Sequence, residues 1–297
     1  MRCVVTGGAG FIGSNLADAL LGRGDEVVVV DDLSTGKREN VSQGAELHEV
    51  DIRSPALADA LAGAEVIFHL AAQADVPTSV RRPDFDAEVN VVGSVKVLQA
   101  AGDSHVVFSS TGGAIYGECE RPAREDDPRR PIAPYGVAKL AAEEYLAAWN
   151  RLNETRHTTL RFGNVYGPRQ EAGLEGGVVA IFLEAMAAGQ ETAVFGDGLQ
   201  TRDFVHVDDV VAAMLRVPGV GGVFNIGSGV ETTVAELHER CRTVSGDGRP
   251  PRMNPAREGD VLRSVLDVGR AERELAWGPQ ISLDEGLRGT WGWIQAR

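Results

Sequence analysis

The glycine-rich segment "TGGAGFIG" near the start of the chain constrains the fold more than any other feature. It follows the apolar run "CVVT" and precedes a segment with apolar residues at helical spacing, and it contributes Gly7, Gly10 and Gly13. Glycines at such a junction let the backbone turn tightly, and the N-terminus of the following helix attracts negative charge. A strand, a glycine turn and a helix in this order predict the first βα unit of a dinucleotide-binding sheet.

Short β-branched runs alternate with helical patterns through the first half of the chain. The runs lie at 3–6, 26–31, 46–51, 65–71, 105–110 and 158–162. Strands separated by helical segments indicate βα units and a parallel sheet. The continuous valine runs suit strands that are covered on both faces. We therefore expect an α/β fold with a Rossmann-type doubly wound parallel sheet, and helices near 85–101 and 135–149.

The character of the sequence changes after residue 163, where glycines and prolines are frequent and loops are longer. We interpret residues 1–163 as the dinucleotide-binding Rossmann domain and residues 164–297 as a smaller C-terminal mixed α/β substrate domain. Helical patterns at 178–189, 208–216, 233–244 and 283–295 belong to this second half. The chain is expected to return to the first domain near 200–226.

Charge and composition limit the classes of partner. The formal net charge of −14 and the pI near 4.9 argue against nucleic acid and against an anionic membrane as partners. The longest helical apolar run is shorter than the roughly 20 residues that a membrane span requires, and the first residues lack a signal peptide. Three widely spaced cysteines without metal-ligand spacing suit a reducing cytoplasm. We expect a cytoplasmic protein with a small-molecule ligand and no metal.

An acidic residue ends the second strand, where a dinucleotide fold places a carboxylate against the adenosine ribose. Asp31 follows Gly13 by 18 residues and is followed directly by Asp32. Both carboxylates repel a 2′-phosphate, so NAD is favoured over NADP as the cofactor. Lys37 and Arg38 lie close to these acids in the sequence, so NADP remains open as the cofactor. The alternative interpretation of Asp31 is an acid that merely ends the strand and binds no ribose.

Further candidate cofactor contacts lie at the carboxyl ends of the predicted strands, where ligands bind in such sheets. They are Phe11 and Ile12 in the glycine turn, Asp51 and Ile52 after the third strand, Leu70, Ala71 and Ala72 after the fourth, and Ser109 on the fifth.

The segment "YGVAK" places Tyr135 and Lys139 four residues apart at the start of a predicted helix, and therefore on one face of it. A tyrosine has an ordinary pKa near 10, so a tyrosine base needs its phenolate stabilised by roughly 3 pKa units. A lysine ammonium group beside it supplies such a field. Tyr135 is the candidate acid/base and Lys139 its partner; a surface helix pair is the alternative.

Thr111 is a third candidate catalytic residue, because it follows the strand "HVVFSS". Its hydroxyl group is suited to hydrogen-bond the reacting oxygen and to share a proton with Tyr135. A turn or helix-cap role is the alternative for Thr111.

The glycine turn, the strand-end acid, Ser-Ser-Thr and Tyr-x-x-x-Lys occur in the order that resembles the extended short-chain dehydrogenase/reductase family. Further motifs extend the resemblance over essentially the whole chain: "VVDDLSTGKREN", "NVVGS", "LRFGNVYGPRQ", "GDGLQTRDFVHVDDV", "FNIGSG" and "REGD". The resemblance implies NAD-dependent epimerisation at C4 of a UDP-sugar through a 4-keto intermediate. The implied substrates are UDP-glucose and UDP-galactose, with N-acetylated forms as a further possibility. In that chemistry Tyr135 takes the C4 hydroxyl proton, Lys139 also binds the nicotinamide ribose and Thr111 binds the sugar.

The resemblance also implies substrate contacts. Asn164 and the arginines Arg202 and Arg257 are implied to bind the diphosphate, and Val178 and Phe195 the uracil and ribose. An arbitrary arginine is usually a solvated surface group, so the two arginines rest largely on their motifs. Asn90 is implied to lie near the cofactor, with a helix-internal hydrogen bond as the alternative, and His69 is expected to be a bonded core histidine.

Two positions depart from patterns seen elsewhere in the family. Gly112 and Gly113 follow Thr111, where dehydratases carry an Asp-Glu pair, which argues against 4,6-dehydration. Ser264 stands where some epimerases place a tyrosine beside the sugar, which suggests a roomier pocket that admits an N-acetylated sugar.

Several functional alternatives remain open from the sequence. They are a UDP-glucuronate 4-epimerase, a nucleotide-sugar decarboxylase or reductase, and a non-catalytic NAD-sensing regulator. A reductase consumes NADPH, which Asp31 disfavours. The resemblance further implies a homodimer formed through the helices near 85–101 and 135–149.

Overall fold

The computed structural model describes residues 1–173, 177–256 and 261–297, and its centre is a seven-stranded sheet in which every neighbouring pair is parallel. The strands of this sheet are β1 (Arg2–Thr6), β2 (Glu26–Asp31), β3 (Glu46–Glu49), β4 (Val66–His69), β5 (His105–Thr111), β6 (Thr158–Phe162) and β10 (Gly222–Ile226). The remaining strands are β7 (Asn164–Tyr166), β8 (Ala193–Phe195), β9 (Thr201–His206), β11 (Glu231–Thr233) and β12 (Arg252–Asn254).

The strand order is β10-β6-β5-β4-β1-β2-β3, so the direction of winding reverses between β1 and β4. In doubly wound sheets a ligand crevice opens at this reversal, outside the carboxyl ends of the strands. The predicted Rossmann-type parallel sheet is confirmed. The glycine turn after β1 and the residues after β4 therefore meet at the crevice.

Helices cover both faces of the large sheet and also build the second layer described below. They are α1 (Phe11–Gly22), α2 (Leu57–Ala60), α3 (Val76–Arg81), α4 (Pro83–Ala87), α5 (Ser94–Ala100), α6 (Gly112–Ile115), α7 (Pro134–Asn153), α8 (Val178–Ala187), α9 (Val207–Met214), α10 (Val234–Ser245), α11 (Gly269–Leu275) and α12 (Leu283–Gln295). None of those described has both the length and the apolar character needed to cross a membrane.

Two apolar cores lie on opposite faces of the sheet, because the valine-rich strands bury both of their faces. Leu16 and Leu20 of α1 pack with Met214 of α9 on one face. Val97 of α5 and Leu146 of α7 pack with the strands on the other. This double coverage is the reason that the strands read as continuous apolar runs.

The second half of the chain builds a smaller layer beside the carboxyl edge of the sheet. Strands β11, β9 and β7 form a mixed three-stranded sheet, and β12 pairs in parallel with β8. Phe182 of α8, Leu237 of α10 and Leu287 of α12 form its core. Strand β10 joins the large sheet beside β6, and α9 packs against α1, so the chain crosses between the two layers more than once. The domain boundary at residue 163 stays a prediction.

The helix predicted at 85–101 is wrong in one respect, since it is interrupted. A π-helical segment, Glu88–Gly93, separates α4 from α5. At its end, the hydroxyl of Ser94, the first residue of α5, donates to the Asn90 carbonyl at 2.6 Å, and a Cβ on Gly93 would lie only 2.5 Å from the Ile52 side chain. Close packing and side-chain hydrogen bonds override the regular helical pattern here, as is common near functional sites.

Candidate active site at the carboxyl edge of the sheet

The glycine turn leaves no room for side chains. Gly7 has a φ of +71°, and a Cβ on it would lie 2.6 Å from the amide nitrogen of Ala71. A Cβ on Gly13 would lie 2.2 Å from the Gly7 carbonyl oxygen. Gly10 caps α1 without a side-chain hydrogen bond, and the first turn of α1 carries no acidic residue. The N-terminus of α1 is therefore free to attract a pyrophosphate, as the fit of a dinucleotide requires.

Asp31 ends β2 beside this turn and is 7% exposed. Its Oδ2 accepts a hydrogen bond from the Ala9 amide and its Oδ1 accepts one from the Leu33 amide, both at 2.9 Å. Burial raises the pKa of Asp31, and these two amide donors oppose the shift. Each oxygen keeps a further lone pair, so the carboxylate can also accept hydrogen bonds from ribose hydroxyl groups.

The two cations near Asp31 are already engaged by carboxylates. Lys37 forms an ion pair with Glu171, and Arg38 pairs with Glu49 at 2.5 Å. A 2′-phosphate at this place would lie beside the carboxylates of Asp31 and Asp32. Lys37 and Arg38 would not neutralise it, because each is already paired with a carboxylate. The local charges therefore fit NAD better than NADP.

The other predicted cofactor positions differ in what their side chains do. Leu70 and Ala71 are tied to Thr6, through its carbonyl at 3.0 Å and its hydroxyl at 3.3 Å. Asp51 pairs with Arg53 at 2.6 Å, and that hydrogen-bonded pair lowers the pKa of Asp51.

The remaining predicted cofactor positions are apolar and differ in burial. Ile52 is buried in the core, whereas Ala72, in the segment after β4, is partly exposed. In the glycine turn, Phe11 is buried and Ile12 is partly buried. Their contacts with the cofactor stay predictions.

Asn90 is 1% exposed, and its amide group fixes the backbone that follows β4. Its Oδ1 accepts a hydrogen bond from the Gln73 amide at 3.0 Å, and its Nδ2 donates to the Gln73 carbonyl at 2.9 Å. Nδ2 also donates to Asp86 at 3.0 Å. The side chain thus positions the loop at the crevice, and its predicted contact with the cofactor stays a prediction.

Lys139 is buried beneath the crevice, one turn after Tyr135 on α7. Its Nζ donates to the Ser109 carbonyl at 3.0 Å and lies 4.9 Å from the centre of the Phe108 ring. Burial lowers the pKa of Lys139 to about 8. Tyr135 is half-buried in the first turn of the helix. The pair therefore lies at the carboxyl end of β5, on a rigid helix of 20 residues.

His69, behind these residues, is a bonded core histidine. Its Nδ1 lies 2.8 Å from the Thr6 hydroxyl and its Nε2 lies 3.0 Å from the Ser94 hydroxyl. Since Ser94 donates its own proton to the Asn90 carbonyl, Nε2 of the neutral ring donates to Ser94 and Nδ1 accepts from Thr6. Burial lowers the pKa of His69 to about 3, so the ring is neutral at physiological pH.

Thr111 and Asn164 come together across Gly113. A Cβ on Gly113 would lie 3.5 Å from the Asn164 Oδ1 and 3.9 Å from the Thr111 Oγ1, which are ordinary contact distances. Thr111 is the last residue of β5, and Asn164 is the first residue of β7. A hydroxyl group and an amide group therefore face the same small space beside the crevice.

The other predicted substrate residues lie in the second layer. Val178 begins α8, Phe195 ends β8, and Arg202 lies in β9. The Arg202 Nη1 donates to the carbonyls of Thr201 at 2.8 Å and Val261 at 2.7 Å. Arg257 lies outside the described residues.

Sequence reasoning missed a buried polar network behind α7. Arg161, in β6, donates three hydrogen bonds to the Glu143 carboxylate, at 2.7, 3.1 and 3.2 Å, and one to the Tyr116 hydroxyl at 2.7 Å. The Tyr116 hydroxyl donates to Asn225 of β10 at 2.8 Å, and its burial raises the pKa of Tyr116 to about 12. The available signal was the arginine inside the apolar run "TTLRF", because a buried arginine requires a partner.

Asp203 is a second missed residue, 1% exposed in β9. Its carboxylate accepts hydrogen bonds from the Ser228 amide and hydroxyl, both at 2.6 Å, and from the amides of Gly229 and Leu266. It joins the segment after β10 to the segment that contains Ser264. The second layer is held to the large sheet through this side chain.

Comparison with known proteins identifies the family of this chain. The sequence profile described as the NAD dependent epimerase/dehydratase family matches residues 3–227. The chain belongs to this family. A UDP-glucose 4-epimerase from Mycolicibacterium smegmatis is 47% identical, over 98% of this chain and 97% of that protein.

Two solved structures are similar over nearly their whole length. One is a UDP-glucose 4-epimerase from Thermotoga maritima with UDP-glucose, with a TM-score of 0.97, 45% identity, and coverage of 100% of this chain and 99% of the other. The other is a UDP-glucose 4-epimerase from Thermus thermophilus in complex with NAD, with a TM-score of 0.93, 39% identity and coverage of 99% of both chains. The predicted family and the predicted NAD cofactor are confirmed.

Proposed function

We propose that this protein is an NAD-dependent UDP-sugar 4-epimerase that interconverts UDP-glucose and UDP-galactose. The observation that carries the proposal is the full-length similarity to an epimerase solved with UDP-glucose. The tyrosine, the lysine and the threonine that such chemistry requires lie at one edge of the sheet, beside a glycine turn that fits a dinucleotide.

The residues of the chain divide the chemistry among them. Bound NAD supplies a hydride acceptor for the carbon at C4 of the sugar. Tyr135 takes the proton of the C4 hydroxyl group and later returns it, and Lys139 stabilises the phenolate in between. Thr111 holds the sugar, Asn164 contacts the sugar diphosphate, and Arg202 and Arg257 offer guanidinium groups to the diphosphate. The proton and the hydride are both returned, the hydride to the opposite face of C4, so the configuration at C4 inverts and the net reaction consumes nothing.

The direct test is purification without added cofactor, followed by analysis of the released nucleotide and by an NMR assay of UDP-glucose. Co-purified NAD and conversion of UDP-glucose to UDP-galactose are expected. UDP-glucuronate should be assayed in parallel, because the sequence left this substrate open. Turnover of UDP-glucuronate without turnover of UDP-glucose would transfer the assignment to a uronate epimerase.

The glycines after Thr111 support epimerisation rather than dehydration. A Cβ on Gly112 would lie 2.6 Å from the end of the Leu266 side chain, so the acidic residue of a dehydratase fits here only if the buried Leu266 shifts. Gly113 has room for a side chain but offers no acid or base to the sugar. Elimination of water needs both an acid and a base at this place, and the chain supplies neither here.

We also propose that the sugar pocket admits an N-acetyl group at Ser264. The Ser264 amide hydrogen-bonds the Thr201 carbonyl at 3.3 Å, which ties this residue to β9 beside Arg202. The protein is expected to epimerise UDP-N-acetylglucosamine as well as UDP-glucose. Ser264→Tyr should lower turnover of the acetylated sugar by at least about 10-fold relative to UDP-glucose, because bulk in the pocket excludes the larger group. Ser264→Ala is the control and should accept both sugars; absence of turnover of the acetylated sugar by wild type would retire the idea.

We further propose a homodimer formed through α7 and the helices beside it. An apolar stripe, consisting of Val137, Ala141, Tyr145, Ala148 and Leu152, runs along α7, and Val137, Tyr145 and Leu152 are 53%, 52% and 81% exposed. Light scattering should give twice the monomer mass. Val137→Glu should shift the equilibrium toward monomer, because a charge in an apolar contact is costly, and a monomeric wild type would overturn the proposal.

A cytoplasmic location is proposed on the basis of cysteine chemistry. All three cysteines, Cys3, Cys119 and Cys241, are free thiols. Burial raises the pKa of Cys3 to about 11 and that of Cys241 to about 12, so both remain protonated and unreactive. Such thiols persist in a reducing compartment.

A further inference from the structure

Asp86 is a buried carboxylate that the chemistry above does not use. It lies in α4 and is 1% exposed. Its Oδ1 accepts hydrogen bonds from the Gln73 Nε2 at 2.8 Å and from the Asn90 Nδ2 at 3.0 Å. Its Oδ2 is buried and accepts no hydrogen bond within residues 1–173, 177–256 and 261–297. A buried carboxylate oxygen without a partner is costly, so its presence calls for a compensating interaction.

Lys139 is the buried cation that acts on Asp86, from α7, the helix packed against α4. Burial penalises the lysine charge, while Asp86 and Glu143 attract it and raise the pKa of Lys139 against that penalty. The attraction is reciprocal, because Lys139 opposes the rise that burial causes in the pKa of Asp86. The two hydrogen bonds to Oδ1 come from N–H donors, which also favour the ionised carboxylate.

The other charged groups around Lys139 are either neutralised or exposed. Glu143, one turn further along α7, is paired with Arg161 at 2.7 Å. His69 of β4 is neutral, since burial lowers its pKa to about 3. Lys96 of α5 donates to the Arg53 carbonyl. The exposed charged side chains of α3, α4 and the π-helical segment are Arg81, Asp84 and Glu88, with Arg82 between α3 and α4.

We propose that Asp86 is a positioning residue of the active site: its buried carboxylate, held by Gln73 and Asn90, keeps the Lys139 ammonium group charged and in place beside Tyr135. The inference rests on the proposed function, in which the Lys139 ammonium group stabilises the Tyr135 phenolate. Among the described residues, Asp86 forms no ion pair of its own, in contrast to Glu143. Within that part of the chain, no other cation therefore pairs with Asp86 in competition with Lys139.

The charge state of Lys139 can be measured directly, because the chain has only three lysines, Lys37, Lys96 and Lys139. Lysine labelled with ¹³C and ¹⁵N gives three side-chain signals, and Lys37→Arg and Lys96→Arg assign two of them by their loss. In the holoenzyme, Asp86→Asn should lower the pKa of Lys139 by roughly 1 unit, as removal of a nearby opposite charge does. The matched control is Asp84→Asn, which removes the same charge from the same helix at an exposed position and should leave the pKa of Lys139 unchanged.

Activity gives a second readout. Lys139 must be protonated to stabilise the phenolate, so kcat falls as pH rises through the pKa of Lys139. Lowering that pKa in Asp86→Asn should move the alkaline limb of the kcat profile to lower pH by the same roughly 1 unit, with the KM for UDP-glucose unchanged. A residue that only stabilised the fold would change the amount of active protein and leave the position of this limb where it was.

The outcomes separate the two proposals. A wild type that turns over no UDP-sugar would remove the proposed function, while the lysine titration would still decide the coupling of Asp86 to Lys139. An unchanged Lys139 pKa in Asp86→Asn would overturn the role of Asp86.

A second variant applies if Asp86→Asn fails to fold. In Lys139→Met the pKa of Asp86 should rise by the same roughly 1 unit, since coupling between two titrating groups is mutual. An unmoved Asp86 pKa in that variant would contradict the proposal equally.

Discussion

Replacing Tyr135 by phenylalanine is expected to lower kcat for UDP-glucose by roughly 10²- to 10⁴-fold, which is the range that a positioned acid/base supplies. The substitution removes one oxygen and keeps the ring, so the fold and the bound NAD should be retained. Initial rates under saturating substrate, together with the NAD content of the purified variant, provide the measurement. Loss of NAD along with the rate would point to a binding role for the hydroxyl instead.

Tyr145→Phe is the matched control, because Tyr145 lies further along the same helix, in the apolar stripe proposed for the dimer contact, where the aromatic ring is retained. It undergoes the same chemical change and should keep the wild-type rate. A Tyr135→Phe variant that also keeps the wild-type rate would make the assignment of Tyr135 wrong. A wild type that binds NAD but epimerises no sugar would favour the NAD-sensing regulator that the sequence left open.

Replacing Glu143 by alanine is expected to lower the free energy of unfolding by roughly 3–5 kcal/mol, because it leaves the Arg161 guanidinium group buried without its counter-ion. The side chains of Arg161 and Glu143 are 2% and 4% exposed, and their closest N–O distance is 2.7 Å. Urea unfolding, monitored at equal NAD loading, provides the measurement.

The neighbouring residue of α7 offers a control with the same ion-pair distance. Glu144 pairs with Arg129 at 2.7 Å, but the two side chains are 54% and 37% exposed. Glu144→Ala should cost at most about 1 kcal/mol, because water screens exposed pairs. A double variant, Glu143→Leu with Arg161→Met, should recover most of the stability, since apolar side chains of similar size do not need a counter-ion. Equal losses for Glu143→Ala and Glu144→Ala would show that burial does not set the cost.

The sheet could be predicted from the sequence because its signals are local. The valine runs, the glycine turn and Asp31 at the end of β2 each depend on a few adjacent residues. The alternation of strands and helices then leaves little choice in the connections, since parallel strands need crossovers. Tyr135 and Lys139 could be singled out for the same reason, because one helical turn brings them to one face.

Other features depend on packing between distant segments. The π-helical segment Glu88–Gly93 interrupts a pattern that reads as a continuous helix, because Ile52 packs against Gly93 and Asn90 bonds the backbone of Gln73. No periodicity in the sequence records such contacts. A sequence pattern reports which face a residue prefers, but it does not report which polar group lies across from it.

The sequence by itself therefore determined the parallel sheet, the glycine turn for the dinucleotide and the spacing of the tyrosine and the lysine. Only the tertiary structure decided that Arg161 meets Glu143 and that Asp86 lies on the helix packed against Lys139. The physical reason is that local backbone preferences and apolar periodicity act over a few residues, whereas a buried charge is stabilised by whichever opposite charge the strand order brings beside it.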